Sequence, residues 1–254
     1  MAEQFDTKYF SGQGPVFIAE RAASGQLMGL EFIGDMTTVT LTPSVDKETI
    51  TENVSGLSAV GASFTKSVKY DLSMQMRSIK PGPLSIALQS SNTAKTAGTV
   101  TNEEHIAYKG KFIALKHTNV SNVQVSMAGA QNSVDYYAPP AANDYILHAD
   151  IGMIEVLDAG TIANAEALAI DYSHAAQHHL AVAPENKEYY LVFSGMNRAD
   201  NNKQTRCEMY KVQLSPSSLA MIESKSAEMP ITGTVMWDAL RPAGDQLFSW
   251  KLED

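Results

Sequence analysis

Histidine side chains form the densest group of chemically active residues in the sequence. His174, His178 and His179 lie within one short segment, YSHAAQHHLAV. On a helix, His174 and His178 would sit one turn apart and could share a metal ion. The segment follows a predicted strand and precedes Pro184, however, and no carboxylate stands at an obvious third position. We therefore interpret these imidazoles as structural or solvent-facing, and we predict no metal site.

The other residue types that carry chemistry form no recognisable catalytic pattern. Gly12 and Gly14 are followed by Pro15, with no third glycine and no GK[ST] sequence, so nucleotide binding is unsupported. The sequence contains neither a GxSxG elbow nor an HExxH motif. Its single cysteine, Cys207, excludes an internal disulfide and is interpreted as a small apolar residue of a strand. We predict no catalytic residue and no cofactor.

Acidic and aromatic residues leave one alternative open. The carboxylates are scattered, and the sequence does not pair them into a glycosidase dyad. Tyr136 and Tyr137 precede two prolines, and they could stack on a sugar or cap a small core, which is the interpretation we prefer. Together with Asp144, they are the basis for an alternative hypothesis, a carbohydrate-binding or hydrolytic β-sandwich.

The composition is that of a globular protein with an acidic surface. The chain has 254 residues, 19 basic and 28 acidic, with a formal net charge of −9. This balance argues against a conventional nucleic-acid binder, which would carry a basic stripe for the phosphates. No apolar run is long enough for a membrane helix, and the N-terminus lacks the features of a signal peptide. We therefore expect no membrane partner and a cytoplasm-like compartment.

The most informative element is one long two-faced strand from Ala62 to Arg77. Every second residue from Ala62 to Met76 is apolar except Lys66, and the residues between them are all polar. This period of two predicts a strand with one face on a core and one in water. At about 3.3 Å per residue the strand would span about 50 Å, far more than strands of compact domains. We expect it to extend beyond its own core and to serve assembly.

The remaining elements predict an all-β fold with minor α content. Strands are predicted at 15–20, 30–33, 36–42 with Pro43 at the end or edge, 107–116, 189–193, 206–214, 227–237 and 247–252. Residues 46–54 are expected to pair with the long strand through a protruding SGLSAVG connector. A helix starting at Pro83, with Leu84, Ile86, Ala87 and Leu88 on one apolar face, is expected to plug one side of the sheet.

Short strands at close spacing distinguish the middle of the chain. From Asn119 to about Ala183 the strand patterns are separated by turns such as APPAAND and DAGTIANAE. Patterns similar to the first part resume after this stretch. We therefore predict a discontinuous core domain, 1–118 with 184–254, and an inserted, outward-facing β module at 119–183.

The order of several segments resembles the major tail tube protein of long-tailed bacteriophages. The resemblance is carried by Gly14–Arg21 (GPVFIAER), Phe32–Asp35 (FIGD), the pair of long alternating strands with the helix after them, Glu103–Lys111 (EEHIAYKGK), Tyr189–Asn197 (YYLVFSGMN), and Cys207–Leu214 with the closing strand through Trp237. It covers about two-thirds of the chain, in two blocks around the inserted module. These segments are specific only as an ordered set, because none is a catalytic signature.

The resemblance implies a β-sandwich or barrel-like subunit that closes into hexameric rings. Stacked rings would form the virion tail tube, assembled in the host cytoplasm. The tube would enclose the tape-measure protein, meet terminator and tip proteins, and conduct double-stranded DNA without binding it specifically. The inner tube of a bacterial secretion machine is an alternative that shares this ring-forming fold.

On this hypothesis the long strand and its neighbour supply the contacts and the channel wall. The polar face of the strand is the predicted channel lining: Ser63, Thr65, Ser67, Lys69, Asp71, Ser73 and Gln75. The ring and stacking contacts are predicted at Asp46, Glu48, Glu52, Ser55, Leu57, Val60, Phe64 and Arg77. Lys69 and Arg77 fit an acidic wall poorly, so part of this face is also a candidate contact with a neighbour.

Overall fold

Across the residues that the structure describes, the fold is all-β with one short helix, as the sequence predicts. The computed structural model describes residues 9–54, 56–78, 80–128, 137–138, 143–183, 186–222 and 228–253, with the backbone alone at residues 128, 137 and 138. In chain order the strands are β1 (Gly12–Gln13), β2 (Val16–Arg21), β3 (Glu31–Phe32), β4 (Met36–Thr51), β5 (Val60–Met76), β6 (Ser90–Lys95), β7 (Gly98–Ala107), β8 (Phe112–Ala114), β9 (Val120–Ala128), β10 (Tyr137–Ala138), β11 (Tyr145–His148), β12 (Met153–Val156), β13 (Glu166–His174), β14 (Gln177–Val182), β15 (Glu188–Asn197), β16 (Lys203–Ser215), β17 (Met229–Val235) and β18 (Phe248–Leu252). The helix α1 spans Pro81–Ala87, and Ala149–Ile151 form a 3-10 turn.

Two compact units make up the chain. One consists of the chain up to Asn92 together with Leu180–Asp254, and the other consists of Thr93–His179. The chain passes between them within β6 and β14, which pair with each other in a two-stranded sheet. The sequence places the inserted module at 119–183. The second unit instead begins at Thr93, because β7 and β8 pair with β13 and β12.

The first unit is built on one antiparallel sheet of nine strands. Its order is β3-β2-β15-β16-β17-β5-β4, with β1 added beside β15 and β18 beside β16. Alternate residues of β17 and of the end of β5 are buried in its core, as the period of two requires. Leu72, Met74 and Met76 of β5 pack there with Leu191 and Ile231. The core therefore holds only the C-terminal third of β5.

The helix α1 covers part of this core. Pro81 and Pro83 lie in the first turn, where a missing backbone N–H costs nothing because that group has no helical partner. Pro83 and Ala87 are buried, and Leu84 and Ile86 pack against the sheet. The apolar helical face predicted from the sequence thus has the packing role expected for it.

The second unit packs a four-stranded sheet with a three-stranded sheet around one core. The sheet orders are β10-β9-β13-β7 and β11-β12-β8. Val125 and Ile170 from the larger sheet share the core with Ile113 and Ile154 from the smaller one. The single strand predicted at 107–116 is divided, because Gly110 adopts a positive φ of 65° and turns the chain between β7 and β8.

Gly14 and Gly195 permit a close approach of the two backbones where β1 meets β15. A Cβ on Gly195 would lie 2.4 Å from the carbonyl oxygen of Gln13, which belongs to rigid backbone. We therefore expect Gly195→Ala to lower the free energy of unfolding by about 1–3 kcal/mol, the usual effect of overpacking. Denaturant unfolding monitored by circular dichroism measures this change.

The matched control is Gly82→Ala in α1, where the nearest atom to an added Cβ is 3.8 Å away. That substitution should change the free energy of unfolding by no more than about 1 kcal/mol. Helix propensity favours alanine over glycine, whereas Pro83 disfavours a Cβ on the helical residue before it. Equal stability of the two variants would contradict the close-approach interpretation.

Candidate assembly interface

The long hairpin of β4 and β5 extends beyond the sheet that anchors it. β4 and β5 pair over nearly their whole length, but β17 flanks β5 only from Tyr70 to Met76. Residues 43–51 of β4 and 60–69 of β5 are all exposed. We call these two segments the arm and the connecting residues 52–59 its tip. The arm is a two-stranded ribbon, and neither of its outer edges pairs with another described strand.

The arm exposes many large apolar side chains, which is unfavourable for a ribbon surrounded by water. Those on the arm are Val45, Ile50, Val60, Phe64 and Val68. At the tip, Val54 and Leu57 are 98% and 82% exposed. Large exposed apolar surfaces mark interaction sites in soluble proteins, and all seven of these side chains lie on one hairpin.

A bulge in β5 changes which side chains share a face of the arm. Asp46 lies opposite Ser67 and Lys47 opposite Thr65, so Lys66 is an extra residue. β4 continues without interruption, and directly opposite residues lie on the same face. Phe64, which lies opposite Glu48, therefore shares a face with Ser67 and not with Val68. The apolar side chains of the arm are consequently present on both of its faces.

The bulge divides the residues predicted to line a channel between the two faces of the arm. Ser63 and Thr65 lie beyond Lys66, opposite Thr49 and Lys47, and do not continue the face of the other five predicted residues. Strict alternation in the sequence cannot reveal this, because it carries no information on how many residues the partner strand supplies. Ser67, Lys69, Asp71, Ser73 and Gln75 remain on one face. Of these, Ser67 and Lys69 belong to the arm and the other three to the anchored part of β5.

The charge of Lys69 is balanced within this face. Its Nζ lies 2.8 Å from Oδ1 of Asp71, and both side chains are exposed. The hydrogen bond from Lys69 and its positive charge lower the pKa of Asp71 despite slight desolvation, with a further hydrogen bond from Thr234. Between Ser67 and Gln75 the face therefore presents hydroxyl and amide groups and one neutralised ion pair, and beyond the bulge it continues with Phe64.

The predicted contact residues fall in three places. Asp46, Glu48, Val60 and Phe64 lie on the arm, whereas Glu52 and Leu57 lie at the tip. Ser55 lies outside the described residues. Glu52 orders one side of the tip, because its carboxylate accepts a hydrogen bond from the backbone N–H of Val54 at 3.0 Å. Arg77 follows β5 at the opposite end from the tip, and its guanidinium lies 2.8 Å from Oε1 of Glu228.

The histidine segment is not helical. His174 is the last residue of β13, and His178 and His179 belong to β14. Within the residues that the structure describes, no three His, Cys, Asp or Glu side chains are grouped to hold a metal ion. Of the tyrosine pair, Tyr136 lies outside the described residues and Tyr137 is described by its backbone only. Asp144 is buried and accepts a hydrogen bond from the hydroxyl of Thr161 at 2.8 Å.

A groove beside the anchored part of β4 was not predicted. Its volume is about 820 Å³, and its apolar lining includes Val16, Phe32, Leu41, Met209 and Trp250. These residues come from β2, β3, β4, β16 and β18, which are distant in sequence. No local pattern could therefore have indicated it.

In the described parts of the chain, no helix is long and apolar enough to cross a membrane. A family model described as "Protein of unknown function UCP028589" matches residues 9–249. Comparison with the curated proteins gives no match.

Proposed function

The chain belongs to the family of that model, and we propose that it is a structural protein that assembles with copies of itself into stacked rings. The rings form the tail tube of a long-tailed bacteriophage, through which DNA enters the host. On this proposal the protein has no catalytic activity. Its partners are other copies of the chain, the tape-measure protein inside the tube, and terminator and tip proteins at the tube ends.

The exposed arm is the observation that carries the proposal. An isolated two-stranded hairpin is only marginally stable in water, and this one also exposes apolar side chains on both faces. Its unpaired edges would promote uncontrolled aggregation unless another strand or surface covers them. A ring of identical subunits meets both needs, because each arm is covered by a neighbour and closure leaves no free edge.

The polar face of β5 supports a role as a channel wall. Ser67, Ser73 and Gln75 carry no charge, and the charge of Lys69 is compensated by Asp71. The whole chain has a formal net charge of −9. A wall without free cations releases no counterions from DNA, so it does not retain the duplex as it passes.

Changing Ser67 and Ser73 together to lysine should leave tubes intact and make them retain DNA. Each ring would then present free ammonium groups to the phosphates, and retention should fall steeply between about 50 and 200 mM salt. Co-sedimentation of short duplex DNA with purified tubes measures retention, and the same substitutions in a phage should slow DNA ejection.

The matched control is Ser67→Thr with Ser73→Thr, which keeps the hydroxyls and adds no charge. Tubes of this control should retain no more DNA than the unmodified protein. Failure of the lysine variant to assemble would place this face in a contact between subunits and would contradict the channel assignment.

Electron microscopy of the purified protein tests the proposed function directly. Negative-stain images should show rings or hollow tubes with a central channel, and light scattering should show mass rising with concentration. A strict monomer at every concentration would overturn the proposal. A monomer that also bound a glycan array would favour the carbohydrate-binding alternative.

A further inference from the structure

The Thr93–His179 unit contains a buried chain of hydrogen bonds that leads to two stacked histidines. It starts at Glu103 of β7, whose carboxylate is almost completely buried. The hydroxyl of Tyr172 lies 2.6 Å from Oε2 of Glu103, and Nε2 of His105 lies 2.8 Å from Oε1. The backbone N–H of Lys116 donates to Oε1 as well, at 3.1 Å. These hydrogen bonds outweigh burial and lower the pKa of Glu103, so the carboxylate is ionised at neutral pH.

The hydrogen bonds define where the two imidazoles carry their protons. An ionised carboxylate can only accept, so the hydroxyl of Tyr172 donates to Glu103. Its oxygen must then accept from Nδ1–H of His117, 2.9 Å away. Nδ1 of His174 lies 2.9 Å from the carbonyl oxygen of Ala175 and must also donate. Nε2 is therefore the atom of each ring that takes up a further proton.

The two rings join separate parts of the unit. Their centroids are 3.8 Å apart and their planes differ by 6°, so they are stacked face to face. His117 belongs to the 115–119 connector between β8 and β9, and His174 ends β13. Next to the stack, the backbone N–H of Ala175 donates to the carbonyl of Asn119 at 3.3 Å. The hydroxyl of Thr118 donates to Oε1 of Gln177 at 3.3 Å.

The surroundings of His117 disfavour its charged form. Burial is the largest influence lowering its pKa, followed by the charge of His174. Glu103 of β7 acts in the opposite direction and raises the pKa, whereas Lys95 of β6 and Lys116 of the connector lower it. Tyr172 remains neutral, because burial and its bond to Glu103 raise its own pKa. Among the described residues, these are the titratable groups that act on the ring.

We propose that His117 and His174 form an acid-sensitive latch. The latch holds the 115–119 connector on the end of β13 while at most one ring is protonated, and it releases the connector when both rings carry a charge. Two stacked imidazolium ions repel each other, so the second proton binds more readily once the rings separate. This inference does not depend on the proposed assembly function.

The direction of the pH effect follows from proton linkage. The pKa of His117 is lower in the closed state than the ordinary value of about 6.5, which applies once the ring is released. The latch therefore contributes its full stability above about pH 6.5 and loses it as the pH falls through the lowered pKa. Alkaline pH has no effect of this kind on it.

Histidine side-chain NMR combined with amide hydrogen exchange tests the latch. The chain has six histidines, so their nitrogen resonances can be followed individually from pH 8 to pH 5. We expect His117 to titrate below the ordinary histidine value, because its burial and the charge of His174 lower its pKa. Protection factors of residues 115–119 should fall between pH 7.5 and 5.5, by up to about tenfold for one group released to the ordinary histidine pKa, while those of β12 stay constant.

Two substitutions separate the latch from a general acid effect. His174→Gln keeps an amide that can donate to the carbonyl of Ala175 but removes the second charge. The pKa of His117 should therefore rise and the loss of protection should become smaller, while burial of the ring keeps part of the effect. His148→Gln is the matched control, because His148 pairs with Glu155 on the other sheet at 3.2 Å. This control should retain the loss of protection.

Independent titration of both rings at the ordinary histidine value in the unmodified protein would overturn the proposal. So would an undiminished loss of protection in His174→Gln. Should that variant fail to fold, the titration of the unmodified protein decides alone.

Discussion

Replacing Phe64 and Val68 of the arm together by aspartate is expected to abolish ring and tube formation while the subunit stays folded. Both side chains are 49% exposed in the subunit, and the bulge at Lys66 places them on different faces of the arm. Each side chain is already half-buried, so each loses about half of the 1.5–3 kcal/mol that full burial of an apolar side chain contributes. Two such losses weaken association by about ten- to a hundredfold at every contact.

Light scattering at concentrations where the unmodified protein assembles measures this loss, and circular dichroism checks the fold. The matched control replaces Ile106 and Ile146 of the second unit by aspartate. These side chains are similarly exposed, at 53% and 46%, but lie outside the arm. The control should assemble normally. Normal rings from the Phe64 and Val68 variant would contradict the role of the arm, and equal loss in both variants would indicate a nonspecific effect.

Replacing Arg21 by methionine is expected to cost about 3–5 kcal/mol of the free energy of unfolding. Arg21 and Asp238 have side chains only 5% and 6% exposed, and Nη2 lies 2.7 Å from Oδ1. The guanidinium also lies 3.2 Å from Glu188. Asp238 additionally accepts the backbone N–H of Leu240 at 3.1 Å, so the ion pair anchors the loop before β18 to β2. Removing the cation leaves a buried carboxylate without its counter-charge.

An exposed ion pair next to Arg21 and Glu188 in the sequence offers a control for this substitution. Glu20 pairs with Lys187 at 3.2 Å, and both side chains are 41% exposed. Glu20→Gln should change stability by no more than about 1 kcal/mol, because solvent screens exposed pairs. Urea unfolding followed by circular dichroism compares the two variants. A change of less than about 1 kcal/mol for Arg21→Met would mean that the buried pair contributes no more than a surface pair.

Local patterns in the sequence predict the main element of the fold but not its pairing. The period of two in residues 62–77 predicts β5, and its unusual length predicts that it extends beyond the core. The extra residue Lys66 could not be predicted, because a bulge depends on the number of residues in the partner strand. The sequence alone also could not decide whether Pro43 ends its strand or lies on a sheet edge. Pro43 lies inside β4 and is tolerated there because β4 is the edge strand of its sheet.

The polar clusters depend on contacts between distant residues and were therefore missed. Tyr172 and Glu103 are separated by 69 positions in the chain, and Arg21 and Asp238 by 217. Each residue type alone is common on a strand, and only the register of β13 on β7, or the course of the loop before β18, brings the partners together. The exposure of residues 60–69 of β5 could be predicted, because extension beyond the core follows from the length of the strand.

The pairing of β6 with β14 bears on how such a chain can evolve. The chain leaves the first unit and returns to it through neighbouring strands, and the hydroxyl of Ser91 donates to the carbonyl of Ala181 across them at 3.4 Å. An intervening segment whose two ends are adjacent can be lengthened, exchanged or removed without stretching the flanking chain. This geometry allows Thr93–His179 to be exchanged as one unit. The paired strands β6 and β14 are therefore a suitable site for genetic exchange or for grafting a foreign domain.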